Sequence, residues 1–330
     1  MTKRILNTAL TLLPLLLMGG CHSSVYEQLD GCARDLEVSL YSQTECATQR
    51  SYPAEIKSVL LVAYNEKGEV VATQTYEGAL SEQTKVKMRI PSSESIRVAA
   101  WSGLDKDCFE VTPMVPAKEL FAKLRTDINL KGRVVYRGVS QQVPLKPLNR
   151  LGTPEVTPVE VNMTELTNRV TVHITGLEEP EKVSLTVSSA NDRYSGDGRM
   201  LTTAQDNPYK YVAEIVRKPN TYVGPPEPGC EAEHNGELIA TFTTLGLESG
   251  HNSFVTISKE GAQQPLQQNL IALILSAARK GADINMRCDR DFTVDLKVKR
   301  CPNCDEGYQV AWIKVNNWLV HSVDTDLNLL

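Results

Sequence analysis

The chain has 330 residues, enough for two domains that each bury a core of their own. Its 35 basic and 40 acidic residues leave a net charge of -5 and are mixed along the chain, so no basic field for nucleic acid and no polybasic patch for anionic lipid is present. Past residue 21 no stretch is long and apolar enough to span a bilayer as a helix.

In chain order, the first element is a leader. Met1-Thr2-Lys3-Arg4 is basic, Ile5 to Met18 is largely apolar, and Gly19-Gly20-Cys21 closes with small residues before a cysteine. This is the anatomy of a bacterial lipoprotein signal: the basic end stays cytoplasmic, and small side chains let a peptidase reach the backbone. Cleavage between Gly20 and Cys21 is expected, with residues 1–20 removed and palmitate-type acyl chains placed on Cys21. Met18 stands where such signals more often carry leucine. A spanning helix needs about 20 apolar residues, and Asn7, Thr8, Thr11 and Pro14 interrupt this run.

The body reads as strands and turns. Leu36–Tyr41 alternates apolar with polar, while Ile56–Tyr64 is dense in Val, Leu and Ile, as in a strand buried on both faces. Asn65-Glu66-Lys67-Gly68 turns the chain into Glu69–Tyr76, which makes a hairpin. Lys85–Ile90 and Ile96–Trp101 add two more strands, and this density of short strands argues for a sandwich. Pro116–Leu124 combines good helix formers behind an N1 proline and is expected to be a short helix. Prolines 144, 147, 154 and 158 mark an extended connector, so the domains are expected to span 21–152 and 153–330.

The second half repeats the pattern with strands at Asn168–Ile174, Lys182–Ser188 and Tyr209–Val216. Glu237–Leu245 and Ser253–Ile257 read as a further antiparallel pair. A helix is expected from Leu266 to Lys280, with Gly281 as its C′ residue. Phe292–Val298 and Gln309–Val315 supply late strands. The fold class is therefore all-β with one or two short helices.

Eight cysteines are present, and lipid on Cys21 would leave seven: Cys32, Cys46, Cys108, Cys230, Cys288, Cys301 and Cys304. An odd number leaves at least one thiol free or paired between molecules, in a compartment that permits disulfides. Cys301-Pro302-Asn303-Cys304 has the spacing of redox dithiols and of half a zinc site. A redox motif normally opens a helix, whereas this one sits in a turn between strands. A zinc site would need Cys230 with His234 or Cys288. Structural disulfide or turn cysteines are the preferred reading, with metal the lesser one.

His22, His173, His234, His251 and His321 are scattered with no ligand spacing. No G-x-S-x-G elbow, P-loop or H-E-x-x-H occurs. Ser195-Gly196-Asp197-Gly198 lacks the spaced carboxylates of a calcium loop and reads as a turn. No catalytic residue, metal or cofactor is expected beyond the covalent lipid, and the chain is not read as an enzyme.

A lipoprotein signal, a cysteine-flanked first strand (Cys32–Tyr41), the hairpin Ile56–Gly68 and a strand ending Val98-Ala99-Ala100-Trp101-Ser102-Gly103 together resemble the anchoring subunits of Bacteroidales fimbriae, or type V pili. Leu166–Val172 resembles the strand that opens that family's second domain. Trp312–Val320 is similar to its closing "I-x-V-N-G-W" strand, with Asn317 in place of glycine.

The resemblance implies two tandem transthyretin-like β-sandwiches. It also implies an outer-membrane lipoprotein, surface-exposed, that anchors a fimbrium, limits its length and binds fimbrillin shaft subunits by β-strand addition. Two alternatives stay open. One is a shaft or tip subunit of the same family, freed of its lipidated leader by cleavage after Arg50. The other is a surface lipoprotein that binds glycan or metal, or uses Cys301 and Cys304 as thiols.

Overall fold

The computed structural model describes residues 33–91, 93–147, 155–201, 208–221, 234–301 and 303–322. The expected signal and Cys21, with Cys32 and Cys230, lie outside them.

In the first sandwich, β1 (Arg34–Tyr41) sits between β4 (Lys85–Ile90) and β10 (Thr157–Asn162), antiparallel to the former and parallel to the latter. The facing sheet contains β2 (Ser58–Asn65), β3 (Val70–Glu77), β5 (Ser95–Ser102), β8 (Tyr136–Val139) and the short β9 (Val143–Pro144) and β11 (Thr164–Glu165). Leu36, Val38 and Leu40 of β1 meet Val59, Leu61 and Ala63 of β2 and Ile96, Val98 and Ala100 of β5 in one core. The opposite faces of β2 and β5 are buried as well. Val62, Tyr64, Ala99 and Trp101 pack beneath a third layer made of β6 (Phe109–Val111) and β7 (Leu120–Leu124). Two-sided burial is why β2 lacks clean alternation in sequence.

The strand β7 replaces the helix expected at Pro116–Leu124. Its backbone pairs with β6 on one side and, on the other, with a strand from the second half of the chain. Helix-forming side chains thus yield to long-range pairing that buries Phe121 and Leu124. The expected break at residues 152 and 153 falls outside the described residues. Beyond it, β10 and β11 belong to the ladders of the first sandwich.

The second sandwich begins at β12 (Asn168–Leu177). Gly176 bulges this strand at φ +87°, and a Cβ there would lie 2.1 Å from the Val298 carbonyl oxygen. β13 (Val183–Ser189) follows, and β14 (Arg193–Ser195) crosses over to pair with β7. Next come β15 (Tyr209–Tyr211), β16 (Ala213–Lys218), β17 (Gly236–Thr244), β18 (Ser253–Lys259) and β19 (Leu266–Asn269). Helix α1 (Leu270–Arg279) and strands β20 (Asp291–Arg300), β21 (Tyr308–Val315) and β22 (Trp318–Ser322) complete the chain. One sheet runs β16-β17-β12-β20-β21-β22 and the other β15-β13-β18-β19. Strands β17 and β18, expected to pair with each other, therefore lie in different sheets.

The expected helix at Leu266–Lys280 is shorter at its start. Residues 266–269 pair with β18, and the Asn269 side chain then accepts a hydrogen bond from the Ala272 N–H at 2.9 Å, capping α1. Leu270, Ile271, Ile274 and Ala277 face the core. The β21–β22 turn uses Asn316 at φ +46° and Asn317 at φ +68°. Both central residues of such a turn need positive φ, and asparagine is the side chain that tolerates it best after glycine. Asn317 therefore meets the backbone demand of this turn without a glycine.

Candidate anchoring end and assembly edges

β1, the first described strand after the expected lipid site at Cys21, is the middle strand of a three-stranded sheet. Past β1, the Ser42 and Ser51 backbones bond to each other, closing a loop that holds Cys46 and Arg50. Cys46 forms a disulfide with Cys288, 242 residues away, with Cα atoms 6.1 Å apart. That bond joins the first sandwich to the loop leading into β20.

The surrounding groups hold both halves of this clasp in place. Asn285 Nδ2 donates to Cys46 Sγ at 3.3 Å, and Arg287 Nη1 lies 3.0 Å from the Glu45 carboxylate. Arg290 donates to the carbonyls of Met286, Asp289 and Arg287, wrapping the loop around its guanidinium. Burial lowers the Arg290 pKa from its ordinary value. The clasp closes one side of a cleft of about 800 Å³ between the sandwiches, which Arg137 and Glu248 span at 3.4 Å.

Arg50 is engaged by its neighbours. Its guanidinium makes a two-point bond to Glu160 of β10 at 2.9 and 2.8 Å and stacks over the Tyr41 ring at 3.9 Å. The bond to Arg50 holds the Glu160 carboxyl below its ordinary range. Because Cys46 precedes Arg50, a cut after Arg50 would leave β1 attached through Cys288.

The other cysteines separate by position. Cys301 and Cys304 are bonded to each other in the turn between β20 and β21. Cys288, weighed above as a zinc ligand, is bonded to Cys46 instead. Cys108 is the free cysteine among the described residues; it is buried, and desolvation raises its thiol pKa. No group of three or more metal-ligating side chains occurs among the described residues. His173 lies between Glu237 and Asp295, 3.4 Å from each, in a row of charges across the outer sheet face. Ser195–Gly198 is a turn: Ser195 Oγ donates to Asp197 at 2.6 Å and Arg199 bonds the same carboxylate. Burial pushes the Asp197 carboxyl up, and the bonds from Arg199 and Ser195 bring it to a net value below the ordinary one.

The six-stranded sheet of the second sandwich ends in two unlike edges. β16 carries Glu214, Arg217 and Lys218, the charges that protect an edge from unplanned pairing. β22 is Trp318-Leu319-Val320-His321-Ser322, with no acidic residue, lysine or arginine, and with Trp318 44% and Leu319 42% exposed.

A model of the fimbrillin-A associated anchor proteins Mfa1 and Mfa2 matches residues 29–324. The chain belongs to this family. It is 29% identical over 320 residues to the minor fimbrium anchoring subunit Mfa2 of Porphyromonas gingivalis, covering 94% of this chain and 92% of that protein. The solved structure of that fimbrial anchor protein superposes with a TM-score of 0.72, over 88% of this chain and all of the other. A candidate adhesin from Bacteroides thetaiotaomicron shares the fold at a TM-score of 0.62 and 16% identity, over 88% of this chain and 98% of the other. The family is one of fimbrial structural and anchor proteins, not an enzyme family.

Sequence reasoning named Cys301 and Cys304 but missed the Cys46–Cys288 clasp. A separation of 242 residues leaves no local signal of pairing.

Proposed function

We propose that this chain is an outer-membrane lipoprotein, surface-exposed and held by lipid on Cys21, that anchors a fimbrium and limits its length. The observation that carries the reading is likeness to a fimbrial anchoring subunit along almost the whole chain, at the level of sequence and of fold. Each buried acyl methylene contributes roughly 0.8 kcal/mol to membrane attachment, so several chains on one cysteine hold a protein for a long time.

The clasp favours this reading over a shaft or tip subunit freed by cleavage after Arg50. Loss of a leader strand requires that the strand be free to leave, and β1 is covalently bound past the cut. Shaft subunits would then meet the anchor by strand addition, in which an extended segment satisfies the unpaired N–H and C=O groups of an edge. β22, with no acidic residue, lysine or arginine and with Trp318 and Leu319 exposed, is the edge that suits such a partner. No observation among the described residues favours glycan, metal or thiol chemistry.

The test pairs intact mass with fractionation. The mature protein is expected to begin at an acylated Cys21, and Cys21→Ala is expected to fold normally while leaving the membrane fraction and shedding fimbriae from the cells. A mature chain beginning at Ser51, or membrane retention of the variant, would sink the proposal.

A further inference from the structure

The Cys46–Cys288 bond joins two strands that matter mechanically. Upstream of it, β1 leads back to the expected lipid, with only the chain between Cys21 and residue 33 outside the described fold. Downstream, Cys288 lies three residues before β20, which is paired on both sides. β20 runs parallel to β12 over seven consecutive pairs, Arg169↔Asp291 to Thr175↔Lys297, and antiparallel to β21, which leads to the edge strand β22.

From this connectivity we infer that the disulfide is a mechanical shunt. It passes tension from the lipidated amino terminus directly into the central strand of the second sandwich and keeps residues 47–287 out of the covalent load path. The inference rests on the anchor reading above for the source of the load. A fibre attached at β22 pulls on a chain whose covalent route to the lipid is β22, β21, β20, Cys288, Cys46 and β1. Everything else in both sandwiches hangs on this route as a closed loop. Such a loop can lose its fold without lengthening the tether.

The place where tension enters β20 is reinforced. At the first pair of the β12–β20 ladder, Arg169 binds Asp291 through two contacts at 2.5 and 3.0 Å and Glu165 through a third at 2.8 Å. Asp291 is held below the ordinary carboxylate range, first by its hydrogen bond to Arg169. β12 and β20 are parallel, joined by evenly spaced, slanted bonds over those seven pairs.

The magnitude is large. Residues 47–287, which lie between the two cysteines, would add about 800 Å of slack if they unravelled in series, at roughly 3.3–3.6 Å per residue. With the bond in place the extensible chain is limited to residues 21–46 and 288–330, about 240 Å at the same rise.

Single-molecule stretching of the full mature chain, with handles at residue 21 and after residue 330, tests this directly. The oxidised protein is expected to stay within about 240 Å at every force below covalent rupture. The same protein under a phosphine reductant is expected to gain about 800 Å. The doubly substituted Cys46→Ser, Cys288→Ser protein is expected to exceed the oxidised limit without reductant. An oxidised protein that lengthens past the limit would overturn the inference, as would a substituted protein that stays within it. Neither result depends on lipid or on membrane location, so it can fail while the anchor reading stands, and the reverse.

Discussion

β14 is the strand that joins the two sandwiches, and removing one ring from it tests whether they unfold as a single body. Tyr194 is 2% exposed; it meets Trp101 edge-on at 6.2 Å and lies under the Arg137 guanidinium at 5.2 Å. Truncating a buried aromatic to alanine costs about 3–5 kcal/mol, and an aromatic pair accounts for about 0.5–1.5 kcal/mol of such a loss. With a urea slope of about 3 kcal/mol/M for a chain of this length, Tyr194→Ala should lower the unfolding midpoint by about 1.3 M. The chain has three tryptophans: Trp101 in β5, Trp312 in β21 and Trp318 in β22. Fluorine NMR of protein labelled with fluorotryptophan therefore reports both sandwiches in one titration. Because the buried residues form a continuous cluster from Trp101 and Phe121 through Tyr194 to Phe242 and Val294, all three signals should share one midpoint and shift together. If the Trp101 signal moved while those of Trp312 and Trp318 stayed, the single-body argument would be refuted.

Two further perturbations probe the turn and the edge. A Cβ at Gly196 would lie 2.1 Å from Tyr64 Oη, so Gly196→Ala should cost roughly 1–3 kcal/mol by overpacking. The Tyr64 hydroxyl is buried without a hydrogen-bond partner, so Tyr64→Phe alone should be neutral or stabilising and should recover part of that loss in the double variant. Thermal melts of the four proteins decide this, and additive losses would disprove the contact. At the edge, Leu319→Lys should leave the melting temperature within a few degrees of the parent while reducing captured fimbrial subunits about tenfold, equivalent to about 1.4 kcal/mol. Undiminished capture would remove β22 from the interface.

What was legible in the sequence follows from how local its physical cause is. The β2–β3 hairpin is readable because Asn65 and Gly68 make the turn themselves; Asn65 Oδ1 accepts from the Lys67 and Glu69 N–H groups, and Gly68 takes φ +81°. The alternation of β1 and β4 is readable because each has one face in the core. β7 was not, because its partner β14 lies some 70 residues on and outweighs local helix propensity. The first turn of the expected α1 failed for a similar reason, as residues 266–269 extend a ladder that β18 starts. At the candidate site, the turn position of Cys301 and Cys304 was visible in the flanking strand patterns. The pairing of Cys46 with Cys288 was not, since only the assembled sandwiches bring the two loops together.

The position of Cys46 relative to Arg50 gives these observations a common direction. A subunit meant to give up its first strand needs a cut that frees it and a groove ready for a replacement. Here the cut site would lie on the far side of a disulfide from the strand, and Arg50 is itself bound to Glu160 on β10, the strand paired with β1. Leu36, Val38 and Leu40 of β1 are each no more than 1% exposed, so expelling the strand would open the core of the first sandwich to water. A chain built this way keeps its amino-terminal strand and whatever that strand is attached to. On the anchor reading proposed above, such a chain would take the end of the fibre joined to the cell, and a first strand that stays in place would leave the next subunit no groove there.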